Sequence, residues 1–309
     1  MYSDILEAMG HTPLVRLNHM TGENDARVLV KCENLNVGGS IKTRTACHMI
    51  REAIKRGDIG PDTVVVEPTS GNQGIGLALT GAVMGLKVRI IMPDSVSLER
   101  RKLISAYGAE LVLVHDEGNI GKCIDQCLNM AMEMKKNDPR VYVPQQFENP
   151  DNPAVHTLTT AREILAEAEG AIDGFCAGVG TGGTLSGVGH TLREKWPEME
   201  IWAVEPENAA MLSGGSIGSH LQMGIGDGLV PKNLDTSIYT HVAVISDQEA
   251  MDTTRALMRK EGILCGISSG SNVAAAIRMA KKLGRGKTVV TILPDTGERY
   301  FSTPLFDGE

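Results

Sequence analysis

Asn36-Val37-Gly38-Gly39-Ser40-Ile41-Lys42-Thr43-Arg44 places one lysine just inside the start of a helix. Two glycines supply a turn open to positive φ, and Ser40 reads as the N-cap of an amphipathic run from Ile41 to Arg56. A cation in the first helical turn opposes the helix dipole, so Lys42 is poorly placed for a residue that needs only solvent. Three uses are open to it. It can bind an anion as a point charge, lose its proton and attack a carbonyl carbon, or snorkel past the turn as a surface lysine.

Outward from this stretch, short apolar runs alternate with helical patterns. Val28–Lys31, Val64–Glu67, Lys87–Met92, Glu110–Val114, Val141–Pro144, Gly174–Ala177, Ile201–Glu205, His241–Ile245 and Thr288–Leu293 read as strands. Ile75–Met84, Glu99–Tyr107, Asn119–Lys136, His156–Ala168, Gln248–Glu261 and Ser271–Lys282 read as helices. Apolar strands separated by helices require mostly parallel sheets covered on both faces, with ligands at the carboxyl ends of the strands. So many strands exceed one comfortable sheet, and the pattern breaks near Gln146, among Pro144, Pro150 and Pro153.

The chain has 309 residues, 42% of them hydrophobic, and a net charge of −8 with interspersed signs. That balance argues against nucleic acid or a membrane surface and favours a small-molecule partner. The six cysteines have no metal-site spacing and read as buried thiols in a reduced compartment, so no metal is expected. The N-terminal residues lack a leader pattern and no segment reaches membrane-spanning length, which makes a cytoplasmic protein the expectation.

Two strand-to-helix turns carry chemistry. Glu67-Pro68-Thr69-Ser70-Gly71-Asn72-Gln73 offers hydroxyls, an amide and free backbone N–H groups at a helix N-terminus, which suits an anion. Gly178-Val179-Gly180-Thr181-Gly182-Gly183-Thr184 suits a phosphate, since glycine allows close backbone approach. The second turn also fits G-x-G-x-x-G, with Glu205 about where a ribose-binding acid would stand, so a nicotinamide enzyme is a rival. A third turn, Cys265-Gly266-Ile267-Ser268-Ser269-Gly270, also precedes a helix.

These turns, Lys42 and the motifs Gly10-His11-Thr12-Pro13-Leu14, Glu99-Arg100-Arg101, Gln146-Phe147-Glu148-Asn149-Pro150 and Gly297-Glu298-Arg299-Tyr300 resemble the cysteine synthase (O-acetylserine sulfhydrylase) and cystathionine β-synthase family. The resemblance covers nearly the whole chain. It implies the two-domain α/β architecture of fold-type II, tryptophan-synthase-β-like enzymes and pyridoxal 5′-phosphate as cofactor. The smaller, mobile domain would be 37–146 and the larger one 1–36 with 147–309. Lys42 would link to the cofactor aldehyde and shuttle the proton at Cα. Gly180, Thr181, Gly182, Gly183 and Thr184 would hold the phosphate, Asn72 the 3′-oxygen, and Ser268 would face the pyridine nitrogen. Thr69, Ser70 and Gln146 would grip the carboxylate of an amino-acid substrate. A serine beside the pyridine nitrogen makes a weaker electron sink than an aspartate would, which favours β-elimination followed by addition of a nucleophile. The resemblance also implies a homodimer and leaves an acetyltransferase partner open.

Two positions depart from the family pattern. Gln73 stands where threonine is usual, and Asp227 replaces alanine in Gly224-Ile225-Gly226-Asp227-Gly228, a segment that would line the cleft near the substrate's β-carbon. Gln73 joins the substrate-binding set. A carboxylate at 227 could activate water and repel hydrosulfide, which leans the reading toward L-cysteine plus water giving L-serine and sulfide. Asp227 has a second use, as a turn residue in solvent. The alternatives are synthesis of cysteine from O-acetylserine, formation of cystathionine, or a non-catalytic protein that binds a partner peptide in its cleft.

Overall fold

The computed structural model describes residues 1–69, 71–117 and 120–307. In chain order the elements begin with β1 (Leu14–Arg16), β2 (Arg27–Cys32), α1 (Lys42–Arg56), β3 (Val64–Pro68), α2 (Asn72–Met84), β4 (Lys87–Pro93), α3 (Leu98–Ala106), β5 (Glu110–Val114), α4 (Ile120–Asn137) and β6 (Val141–Tyr142). They continue with α5 (Asp151–Val155), α6 (Ala161–Glu167), β7 (Gly174–Gly178), α7 (Gly183–Lys195), β8 (Glu200–Pro206), β9 (His241–Ile245), α8 (Asp247–Ala256), α9 (Ile267–Leu283) and β10 (Thr288–Leu293).

The strands form two sheets. One has four strands in the order β5-β4-β3-β6, all parallel; the other has six in the order β1-β2-β10-β7-β8-β9, parallel except for β1. Buried apolar side chains, valine and isoleucine foremost in β3, β4 and β10 and phenylalanine, cysteine and alanine in β7, fill both faces of the central strands, as parallel sheets under helices demand. The fold is thus the α/β architecture expected. Among the described residues, no helix is long and apolar enough to cross a membrane.

Three local expectations differ from the structure. Ser40 does not cap α1: its backbone is extended (φ −162°) and bridges Asp295, while its hydroxyl is buried without a partner among the described residues. Pairing with the segment after β10 outweighs the local capping preference. The strand expected over Val141–Pro144 stops at Tyr142, because only Val64 and Val65 of β3 face it. The helix expected from His156 is preceded by α5, which tolerates Pro153 because a first-turn N–H has no intrahelical partner to lose.

The helix that carries Lys42 is tied down by buried charge. Arg44 is 1% exposed and makes two forks: Nε and Nη2 reach Glu33 at 2.9 and 2.8 Å, and Nη1 and Nη2 reach Glu163 at 2.6 and 2.7 Å. Lys31 of β2 joins the same cluster through Glu163 and Glu167, at 2.9 and 2.8 Å. Burial would raise the Glu163 carboxyl, but Arg44 and Lys31 pull it down from 4.5 to about 2. Its contribution to stability is therefore present above pH 4.5 and lost as pH falls toward about 2. Arg44→Leu leaves two carboxylates without their fork and should cost about 3–5 kcal/mol in urea denaturation at neutral pH. A loss under 1 kcal/mol, roughly the value of an exposed pair, would contradict this account.

Candidate active site

Both sheets deliver their carboxyl ends to one cleft of about 800 Å³. The end of β3 brings Thr69, Asn72 and Gln73; the segment after β6 brings Gln146; the end of β7 brings Gly180 and Thr181; α9 brings Ser268. Lys42, Thr184 and Asp227 line the same space. The sequence candidates therefore converge, apart from Ser70, which lies outside the described residues. Gly183 is fully buried behind the turn, where an added Cβ would sit 2.1 Å from Asn152 Oδ1.

Lys42 Nζ donates to Thr181 Oγ1 at 3.3 Å. Burial lowers its pKa from 10.5 to about 8, opposed by the nearby Asp227 carboxylate. Burial raises Asp227 in turn, while Lys42 and His220 draw it back. Asp227 is half-buried, and its Oδ2 lies 3.4 Å from where a Cβ on Gly180 would be. Its loop is shaped by Gly224, Gly226 and Gly228, all at positive φ, and packs so closely that a Cβ on Gly180 would meet Gly224 O at 2.3 Å. His220 fastens the loop through Nε2 to Gly226 O at 3.1 Å.

The donor set fits pyridoxal phosphate. The turn at 180–184 leads into the N-terminus of α7, where Gly182 (φ 78°) provides no side-chain cap and leaves first-turn N–H groups free for an anion. Asn72 Nδ2 donates to Asp295 Oδ2 at 2.7 Å and its Oδ1 accepts from Arg299, so partners of opposite character fix the amide's orientation. One Nδ2–H remains to donate to a phenolic oxygen. Ser268 presents a small hydroxyl in the first turn of α9 rather than a carboxylate.

Two glutamines have amides ready for a ligand. Gln73 is 1% exposed and neither Nε2 nor Oε1 has a partner among the described residues. Gln146 is 5% exposed, and its backbone is fully used: its N–H goes to Glu67, and its carbonyl accepts from Asn152 at 2.7 Å and Asn233 at 2.8 Å. Asn152 also donates to Thr181 Oγ1 at 2.9 Å, so one amide couples Gln146 to the partner of Lys42. Glu205 does not support the nicotinamide reading, because it accepts from Leu212 N, Ser213 N and Ser213 Oγ. Glu67 and Arg299 stand inside motifs read from the sequence but were given no role there, and Asn152, His220 and Asp295 carry no motif signal; all five were missed as contributors.

A half-buried lysine with its pKa drawn down to about 8, set opposite a phosphate-binding turn, fits a pyridoxal-phosphate enzyme. Residues 5–295 match the family described as "Pyridoxal-phosphate dependent enzyme". A cysteine synthase from Staphylococcus aureus (strain N315) is 49% identical over 304 residues, 98% of this chain and 96% of that protein. The crystal structure of O-ureido-L-serine synthase superposes with a TM-score of 0.93 at 42% identity, covering 100% of this chain and 96% of that one. A hydrogen sulfide-producing enzyme from Fusobacterium nucleatum gives 0.91 at 41%, covering 97% and 100%. The chain belongs to the pyridoxal-phosphate dependent enzymes and, within them, to the cysteine synthase family. Its cofactor is pyridoxal 5′-phosphate.

The Lys42–Asp227 pair generates a pH prediction. Cofactor capture by the apoenzyme requires the free amine, so its rate should rise with pH to a plateau with a midpoint near pH 8. Asp227 favours the ammonium form, so Asp227→Asn should move that midpoint to lower pH. An unchanged midpoint in stopped-flow absorbance would separate the two groups electrostatically.

Proposed function

We propose that this enzyme cleaves the Cβ–S bond of L-cysteine and adds water at Cβ, releasing sulfide and L-serine. The observation that carries this reading is the Asp227 carboxylate lining the cleft against Gly180, within electrostatic reach of Lys42. When bound, the cofactor supplies the electron sink that makes the substrate's Cα–H acidic.

The chain's own residues divide the remaining work. Thr69 and the Gln146 amide hold the substrate carboxylate, a set of neutral donors that orients the anion without an arginine. Ser70 is assigned to the same group by its place in the motif. Lys42 takes the proton from Cα and returns it there, a role suited to an amine whose pKa of about 8 lies near the working pH. Asp227 accepts a proton from the water that forms the new Cβ–O bond, and burial makes it a stronger base than an exposed carboxylate. The sulfur leaves with the electron pair of the broken C–S bond. Its return is disfavoured by the negative charge at 227. The unpartnered Gln73 amide offers a donor and an acceptor to small polar species in the cleft.

The resemblance to a hydrogen sulfide-producing enzyme supports this direction. A second reading, β-replacement on an O-activated serine with sulfide as nucleophile, is favoured by the cysteine synthase at 49% identity. Incubation of the holoenzyme with L-cysteine and no second thiol decides between them. Sulfide and serine should appear in equal amounts, with little pyruvate, and Asp227→Asn should lower serine formation about a hundredfold while retaining the cofactor band. Rapid cysteine formation from O-acetylserine and sulfide, with negligible serine from cysteine, would establish the second reading.

A further inference from the structure

We infer that Glu67 is a positioning residue for the amino-acid substrate: its carboxylate fastens the Gln145–Gln146 backbone so that the Gln146 amide faces the substrate carboxylate. This rests on the reading of Gln146 as a carboxylate-binding group.

Glu67 is the penultimate residue of β3 and is 1% exposed, a costly place for an acid. Its two oxygens serve two consecutive backbone donors: Oε2 accepts from Gln145 N and Oε1 from Gln146 N, both at 3.1 Å. Gln145 is held at φ +56°, one of only two non-glycine residues with positive φ among the described residues. That conformation is unfavourable for a glutamine and persists only when its surroundings enforce it. The next peptide is held as well, by the Asn152 and Asn233 amides on Gln146 O. The segment is therefore gripped between the four-stranded sheet, through Glu67, and side chains that follow it in the chain. The Gln146 side chain is left free of protein partners among the described residues.

The charge state of Glu67 matters for a geometric reason. A carboxylate accepts both N–H groups at once. A protonated carboxyl keeps its carbonyl oxygen for one N–H, but its hydroxyl oxygen is a weaker acceptor for the other and carries a proton that needs a partner of its own. Burial raises Glu67 from 4.5 to about 7, offset by the two N–H groups. No charged side chain from β4, β6, α2 or α4 contributes to its titration among the described residues. The grip should therefore loosen as pH falls through about 7. Lys42 and Asp227 also titrate in the cleft, but they act on bond making and breaking and register in kcat.

The test is the pH dependence of KM and kcat for L-cysteine in the holoenzymes of wild type, Glu67→Gln, Glu67→Asp and Gln146→Ala. For wild type, KM should rise several-fold below pH 7. Glu67→Gln, whose amide directs its own N–H at a backbone N–H, should show the raised KM at every pH and lose that limb, with kcat within about threefold of wild type. Glu67→Asp, charged but one methylene shorter, should restore part of the pH dependence and thereby separate a charge effect from a packing defect. It also serves as the second variant if Glu67→Gln does not fold. If Gln146→Ala raises KM while both Glu67 variants keep wild-type KM and its pH limb, the inference falls and the reading of Gln146 stands. If Gln146→Ala leaves KM unchanged, the underlying reading fails and the inference with it.

Discussion

The structure depends on holding one primary amine half-buried at the seam between two sheets. Lys42 opens α1, where the helix dipole and desolvation both disfavour a proton, and Asp227 is the nearby charge that opposes them. An amine held in that balance can serve as both nucleophile and base near neutral pH. Much of the surrounding architecture immobilises it. The Arg44 forks fix α1 to Glu33 just after β2 and to Glu163 of α6, and Asp295 pairs with Ser40 just before the helix begins.

The cleft is polar in a graded way. Asn72, which lines it, forms a hydrogen-bonded cluster with Asp295, Arg299 and Tyr300 that fixes one amide's orientation. Along one wall, Asn152 links Thr181 to Gln146, so the lysine's partner and the Gln146 backbone share one side chain. Along the other, the loop containing Asp227 is closed onto Gly180 by glycines whose positive φ no other residue type adopts without strain. The two amide atoms of Gln73 have no partner among the described residues and lie in the same space. Buried polar groups without partners are costly in a static protein, and a ligand or bound water offsets that cost.

What was legible in the sequence was local. The glycine turn at 180–184, the alternation of apolar strands with helices, and the odd placement of Lys42 all lie within short windows, and the fold follows from them. What was not legible depends on residues far apart in the chain. Asn72 meets Asp295 across 223 positions, and Glu67 meets Gln145 across 78. Glu67 reads in sequence as the end of any strand; only the return of the chain after β6 gives its carboxylate two backbone donors. Ser40 shows the converse, a strong local capping signal overridden because the backbone there pairs with Asp295. Asp227 needed both kinds of information: the sequence marked it as unusual, and the packing of its loop determined which way it faces.

The proposed reaction is completed by water, activated by Asp227, as the nucleophile. It is tested most directly by running the reaction on L-cysteine in heavy-oxygen water and analysing the products by mass spectrometry. The account predicts L-serine carrying one heavy oxygen in its side-chain hydroxyl, formed at the rate of sulfide release and suppressed in Asp227→Asn. Sulfide release accompanied by pyruvate and ammonia, or no labelled serine at all, would contradict it.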